Sequence, residues 1–203
     1  MTRRVRAYVG LGANLGDAAT TIANAIHTMS ALPDVRLRGV SRLFATRPVG
    51  VTDQPEFRNA AVAIDVPAGP DPATGALAFL IALKGIERAF GRRRRERWGP
   101  REVDLDLLVF GRHHVNVERP DEARSDDPTK PTDLVVPHRL AGDRLFVLAP
   151  LADLAPSLVP PGWHETVELA RRRREAVEGD GAVRPIASWT RDGWTPLPGT
   201  REA

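Results

Sequence analysis

The chain has 203 residues, 42% hydrophobic and 27% charged, which is enough for one well-buried core and ordinary for a globular protein. It contains no cysteine, which excludes structural disulfides and thiolate metal sites. The formal net charge is only +3, yet arginines bunch at 92–95 and 171–174, runs that either attract polyanions or are simply solvated.

No apolar run reaches the length of a membrane span. Met1-Thr2-Arg3-Arg4 leads straight into a strand pattern without the apolar segment of a signal peptide, so a cytoplasmic protein is expected. Val5, Ala7, Val9 and Leu11 alternate as a half-buried strand. Gly10-Leu11-Gly12-Ala13-Asn14-Leu15-Gly16 follows, then Asp17 as an N-cap, and Ile22, Ala25, Ile26 and Met29 mark a helix to about Leu32. Strand, glycine loop and helix invite a dinucleotide-binding reading, but G-x-G-x-x-G requires glycine at position 15, where leucine stands. The glycines are therefore read as serving a tight turn.

Val35 to Ala45 reads as a second strand, irregular at Gly39, and residues 46–55 form a turn-rich, proline-bearing loop. Phe57 to Val66 alternates again, with Ala60, Val62, Ile64 and Val66 on one face and Phe57, Asn59, Ala61 and Ala63 on the other. Asn59 either caps the strand end or offers an amide donor and acceptor to a heterocycle. Asp71-Pro72 opens a helix that runs to Phe90, with Gly91 as its terminator. Glu87 falls in the last turn, where a carboxylate opposes the helix dipole, so a cationic neighbour is expected.

The segment from Arg97 to Phe110 carries the most chemistry. Val103, Leu105 and Leu107 point one way on a strand, and Asp104 and Asp106 the other. Two adjacent carboxylates repel each other unless a cation or a shared proton joins them. An oxygen-only pair suits Mg²⁺, whose remaining positions are filled by water and substrate phosphates. The alternative is a solvent-facing acidic edge strand beside a basic loop.

Beyond it, His113 and His114 lead a short strand to Val117, and adjacent histidines on opposite faces do not share a metal. Glu118 to Asp133 is charged, proline-bearing and poor in aliphatics, which reads as a mobile surface insertion. Order resumes at Leu134 to Arg139. Helices follow at Asp143 to Leu154 and near Glu165 to Ala176, then a strand near Val183 to Trp189, and the last residues read as loose. Strand–helix–strand–strand–helix–strand is the order of a split βαβ, ferredoxin-like α+β fold, an antiparallel sheet with helices packed on it. Residues 1–160 are expected to form the main domain and 161–203 a C-terminal helix and strand extension.

Four segments together resemble the 6-hydroxymethyl-7,8-dihydropterin pyrophosphokinases of folate biosynthesis: residues 8–16, Asp53 to Ala60, Arg97 to Asp106, and Val136-Pro137-His138. The third is highly specific, and the likeness spans about Val5 to Pro156. It implies transfer of pyrophosphate from ATP to the pterin hydroxymethyl group with release of AMP. Residue by residue, it implies Asp104 and Asp106 as ligands of two Mg²⁺ ions. Thr46, Val49, Phe57, Asn59, Trp98 and Phe146 fall on the pterin side, with Phe57 and Phe146 sandwiching the ring. Glu87, Arg97, Arg101, Leu107, His138, Arg139 and Arg144 fall on the nucleotide side. Arg92 and Arg94, with Arg101, are implied to act on the phosphates, the first two from a loop that closes over them. That loop is one residue shorter here than the family pattern, and Lys84 stands where the resemblance leads one to expect glutamine.

The partners expected are therefore ATP and the pterin, with neither nucleic acid nor membrane, for a monomeric chain. Two other readings are a catalytically silent paralogue that binds pterin, and an RNA-binding ferredoxin-like module. The second would carry aromatics on its central strand, where this chain has Asp104 and Asp106.

Overall fold

A computed structural model describes residues 3–47, 55–91, 102–124 and 131–199. Of the residues singled out above, Val49, Arg92, Arg94, Arg97, Trp98 and Arg101 lie outside these segments. The ferredoxin-like unit is built from β1 (Arg4–Ala13), α1 (Ala18–Ser30), β2 (Arg36–Val40), β3 (Leu43–Thr46), β4 (Phe57–Pro67), α2 (Pro72–Ala89) and β5 (Asp104–Phe110). Side-chain caps start both helices where the sequence places them, with Asp17 accepting from the Thr20 N–H and Asp71 from the Thr74 N–H. Gly91 follows α2 at φ +82°, the left-handed conformation of a helix terminator.

The expected second strand is two. Val40 ends β2, and Ser41 and Arg42 separate it from β3. The Ser41 N–H donates to the Ala61 carbonyl, and Arg42 is held by the Asp153 carboxylate through both its N–H and its guanidinium. Both β2 and β3 pair with β4.

The main sheet runs β5-β1-β4-β3, all antiparallel, and continues into β8 (Val183–Thr190) and β9 (Gly193–Pro196). The chain thus remains ordered past Trp189, where the sequence pattern faded. A separate ribbon is formed by β6 (Val115–Glu118) and β7 (Asp133–Val136). Between them Asp121–Ala123 makes a 3-10 turn that buries Ala123, and the Arg88 guanidinium on α2 donates to the Glu122 carbonyl. This part of the segment read as a mobile insertion therefore docks on α2, because one small apolar residue and one backbone hydrogen bond seat it there.

Alternation fixes the two faces of the sheet. Val9 and Leu11, Val62 and Ile64, and Leu105 and Leu107 pack against Ile22, Ile26 and Met29 of α1 and Leu80 and Leu83 of α2. On the opposite face, Leu108 meets α3 (Leu145–Leu154) and α4 (Val167–Glu178) through Leu148, Leu151, Val167 and Ala170. The upper part of that second face, beyond Leu108, carries Asp106, Asp104 and Asn59.

The arginine run of α4 is paired along its own helix. Arg171 binds Glu168 and Glu175, Arg172 binds Glu168, Arg173 binds Glu165, and Arg174 binds Glu178. Glu178 also accepts the Leu145 N–H, joining α4 to the start of α3. Hydrogen bonds from Arg171, then from Arg172, hold the Glu168 carboxyl at a pKa of about 2, against 4.5 for an ordinary glutamate. A depressed pKa adds stability that is complete above the unfolded value and lost as pH falls through the folded one. The melting-temperature deficit of Glu168→Gln relative to the parent should therefore be full at pH 7 and shrink between pH 4.5 and 2. A deficit that grew on acidification would contradict these pairings.

Candidate functional site

Register places the acidic pair against glycine. Asp104 lies opposite Gly12 and Asp106 opposite Gly10 on β1, and across β4 the same rows continue to Asn59 and Ala61. Directly paired residues on antiparallel strands share a face, so Asp104, Gly12, Asn59 and Phe44 form one row and Asp106, Gly10 and Ala61 the next. Gly10 and Gly12 are therefore mid-strand residues rather than the tight turn expected from sequence. Gly12 leaves bare backbone between Asp104 and the Asn59 amide, while the Leu108 side chain lies over Gly10. A methyl group on Gly12 would stand 3.0 Å from the Asn59 Oδ1, and one on Gly10 would stand 3.4 Å from Leu108. These two glycines are site residues that motif spacing missed, and only the strand register exposes them.

Asn59 is buried, and its Nδ2 donates to the Thr46 Oγ1 at 2.9 Å, with Thr46 opposite Phe57 on the neighbouring strand. That bond fixes the amide's orientation and leaves Oδ1 directed over Gly12. Thr46, Phe57 and Asn59 are thus brought together as expected. Phe146 sits in the first turn of α3 with the Arg144 guanidinium 5.6 Å from its ring centroid, a cation–π contact between a residue expected on the nucleotide side and one expected on the pterin side.

On the other flank, the His138 N–H donates to the Leu108 carbonyl at 2.9 Å, setting the imidazole beside β5. Burial lowers the His138 pKa below the usual histidine value, Asp106 opposes that shift, and Arg144 and Arg119 reinforce it, so the ring is neutral at pH 7. Arg139 forms an ion pair with Asp133. Arg119, which sequence reasoning passed over, is half-buried and donates from Nε to the Asp133 carbonyl. Burial lowers its pKa, and the fields of Asp106, Asp133 and Glu87 act against that lowering. It is a half-buried cation within the field of Asp106, and a lone arginine in a charged, proline-bearing segment gave no signal of this.

Two residues expected on the nucleotide side turn inward. Leu107 buries its side chain in the core between the sheet and α1–α2, so it has only main-chain groups to offer a ligand. Glu87 is 2% exposed, and its Oε1 accepts both the Leu105 N–H at 2.6 Å and the Lys84 Nζ at 2.7 Å. Lys84 in turn donates to the Leu105 carbonyl at 3.1 Å. The cationic neighbour inferred from the helix dipole is therefore Lys84, one turn earlier. The pair seals the backbone of the strand that carries both aspartates.

Among the described residues, no group of three or more His, Cys, Asp or Glu side chains could hold a metal ion. Two carboxylates on one strand face, with the bare backbone of Gly12 beside Asp104, fit Mg²⁺, which takes one or two carboxylates and completes its shell with water and phosphate oxygens. They do not fit a closed protein cage. No helix among the described residues is long and apolar enough to cross a membrane.

Fold and site together define a ferredoxin-like α+β enzyme with an acidic pair on an edge strand. Residues 8–156 match the model of the 7,8-dihydro-6-hydroxymethylpterin-pyrophosphokinase family, and the chain belongs to that family. A relative from Methylorubrum extorquens, named 2-amino-4-hydroxy-6-hydroxymethyldihydropteridine pyrophosphokinase, is 43% identical over 165 residues, covering 81% of this chain and 90% of its own. One of the same name from Pseudomonas aeruginosa is 40% identical over 174 residues, 85% of this chain and 95% of its own. Among solved structures, Plasmodium falciparum HPPK-DHPS with pteroate superposes with a TM-score of 0.71 at 14% identity. That match covers 98% of this chain and 49% of the other, and it speaks to the fold alone.

Proposed function

We propose that this chain transfers the pyrophosphoryl group of ATP to the hydroxymethyl oxygen of 6-hydroxymethyl-7,8-dihydropterin, a step of folate biosynthesis. The new bond joins that oxygen to the β-phosphorus, the α–β bridging bond breaks, and AMP leaves as the hydroxyl proton is lost. The observation that carries the reading is the row Asp104–Gly12–Asn59: an acidic residue and a heterocycle-reading amide share one sheet face across bare backbone.

Asn59, oriented by Thr46, reads the pterin edge, while Phe57 and Phe146 supply aromatic faces for its ring. Asp104 and Asp106 would hold two Mg²⁺ ions, which supply charge neutralisation on the ATP phosphates and polarise the β-phosphorus. Arg119 adds a positive charge within the field of Asp106, and His138, neutral, can accept or donate one hydrogen bond without adding charge. Main-chain groups around Leu107, with Arg139 and Arg144, fit the nucleotide, whereas Glu87 supports β5 from within. Arg92, Arg94, Arg97 and Arg101 are assigned to the phosphates, Val49 and Trp98 to the pterin side, on the family resemblance. Phosphoryl-type transfer needs positioning and electrostatic stabilisation more than a protein nucleophile, so no Ser or Cys base pairing is called for.

Purified protein with ATP, Mg²⁺ and the hydroxymethyl-dihydropterin should release AMP, dependent on the pterin, and no ADP. Pterin binding without AMP would instead identify a silent paralogue, and ADP as product would overturn the proposed bond cleavage.

A further inference from the structure

We propose that Arg184, on the C-terminal strand beyond the family-matched residues 8–156, is a positioning residue for the pterin side of the site. β8 pairs with β3, placing Val183 opposite Thr46 and Arg184 opposite Ala45. From there the guanidinium reaches Glu56 with two parallel bonds, Nη1 to Oε1 at 2.9 Å and Nη2 to Oε2 at 2.8 Å. Glu56 immediately precedes Phe57. On the opposite flank, the buried Asn14 at the end of β1 donates from Nδ2 to the Pro55 carbonyl at 3.3 Å. The two residues that deliver Phe57 are therefore gripped from both sides, one grip coming from the C-terminal strand.

That strand is itself anchored to the main body. The Trp194 Nε1 donates to the Ala19 carbonyl at 3.0 Å, and the Trp189 ring packs edge-on against Trp194 and lies tilted 5.4 Å from His27 of α1. Arg184 thus transmits the position of α1 to the approach of the pterin strand. A two-pronged Arg–carboxylate bond fixes direction as well as distance, which a lysine cannot do. The Glu56 carboxyl is held below its usual pKa, first by Arg184 and less by Arg58, so the link persists at neutral pH.

The simpler alternative is a surface ion pair without consequence, and the exposure of the two side chains, 45% and 28%, limits the expected effect. The inference rests on the proposed pterin reaction. In full-length protein, Arg184→Ala should raise KM for the pterin about two- to fivefold, with kcat and KM for ATP unchanged. Arg184→Lys should recover only part of the loss, and Arg184→Ala combined with Glu56→Gln should be no worse than either alone. Equilibrium binding of the pterin without ATP should weaken by the same factor. Unchanged pterin binding in Arg184→Ala would overturn the inference. So would a loss shared equally by both substrates and matched by a lower melting temperature, since that is a structural role. If the parent binds pterin and makes no AMP, the proposed reaction fails while the binding comparison still decides the role of Arg184. A parent that binds no pterin sinks both.

Discussion

Replacing Asp106 with alanine is expected to reduce pterin-dependent AMP formation by about a thousandfold or more, while pterin affinity and melting temperature stay close to those of the parent. The size follows from chemistry in which charge neutralisation on the phosphates supplies most of the rate, so losing one of the two carboxylates would remove one of the two proposed metal ligands. The selectivity follows from geometry. Asp106 faces Gly10 and Ala61, in the row next to that of Asn59, and is only partly buried. Steady-state AMP release at saturating Mg²⁺, equilibrium pterin binding and a thermal melt separate the three quantities. Turnover near that of the parent would remove Asp106 from the metal site, and an equal loss of pterin binding would show that the two halves of the site are not independent. Asp106→Asn, which keeps the shape and removes the charge, should behave like alanine.

The largest expected effect on stability comes from Glu87. Glu87→Ala would leave Lys84, 7% exposed, as a buried cation without its carboxylate and would strip the Leu105 N–H of its acceptor. Breaking a buried pair from one side costs about 3–5 kcal/mol. For a chain of this length that is a fall of about 10 °C or more in melting temperature. Replacing both partners by apolar residues, as in Lys84→Met with Glu87→Leu, should recover much of it, because no charge is then stranded. A single variant within about 2 °C of the parent would mean that water reaches the pair freely. Activity at low temperature, where the variant stays folded, should fall only modestly under the proposed role of Glu87 as a support of the strand that carries the aspartates.

Alternation made the site's chemistry legible. Phe57 and Asn59 on one face of β4, and Asp104 and Asp106 on one face of β5, follow from a period of two and hold in the structure. Alternation within a strand is silent about its neighbours, so nothing in the sequence could say that Gly10 and Gly12 lie between those two faces. Their clustering suggested a turn because glycines usually punctuate. Here they are strand residues, and Gly12 is kept small by the Asn59 amide across from it. The break at Ser41-Arg42 depends on Asp153, more than a hundred residues away, and was invisible for the same reason. β9 is four residues with one aromatic, too short for a periodic signal, and is made by pairing with β8. The run at Arg171 to Arg174 was ambiguous as composition and unambiguous as structure, because glutamates at helical spacing pair with Arg171, Arg172 and Arg174, and Glu165, just before the helix, pairs with Arg173.

The Lys84–Glu87 pair has one more consequence, for the behaviour of the protein in concentrated solution. β5 is the outer strand of the sheet on one side, and an outer strand normally offers unpaired N–H and C=O groups to any passing chain. At Leu105 both groups are occupied by the Glu87 and Lys84 side chains, and at Leu108 the carbonyl is taken by the His138 N–H. The far side of the sheet ends in β9, only four residues long and closed by Pro196, which has no N–H to give. These two ends of the path from β5 to β9 are poor templates for strand addition, whereas β2, which pairs with β4, lies off that path. Strand addition along β5 is thereby opposed, and the guard there is the same ion pair that holds the strand carrying Asp104 and Asp106.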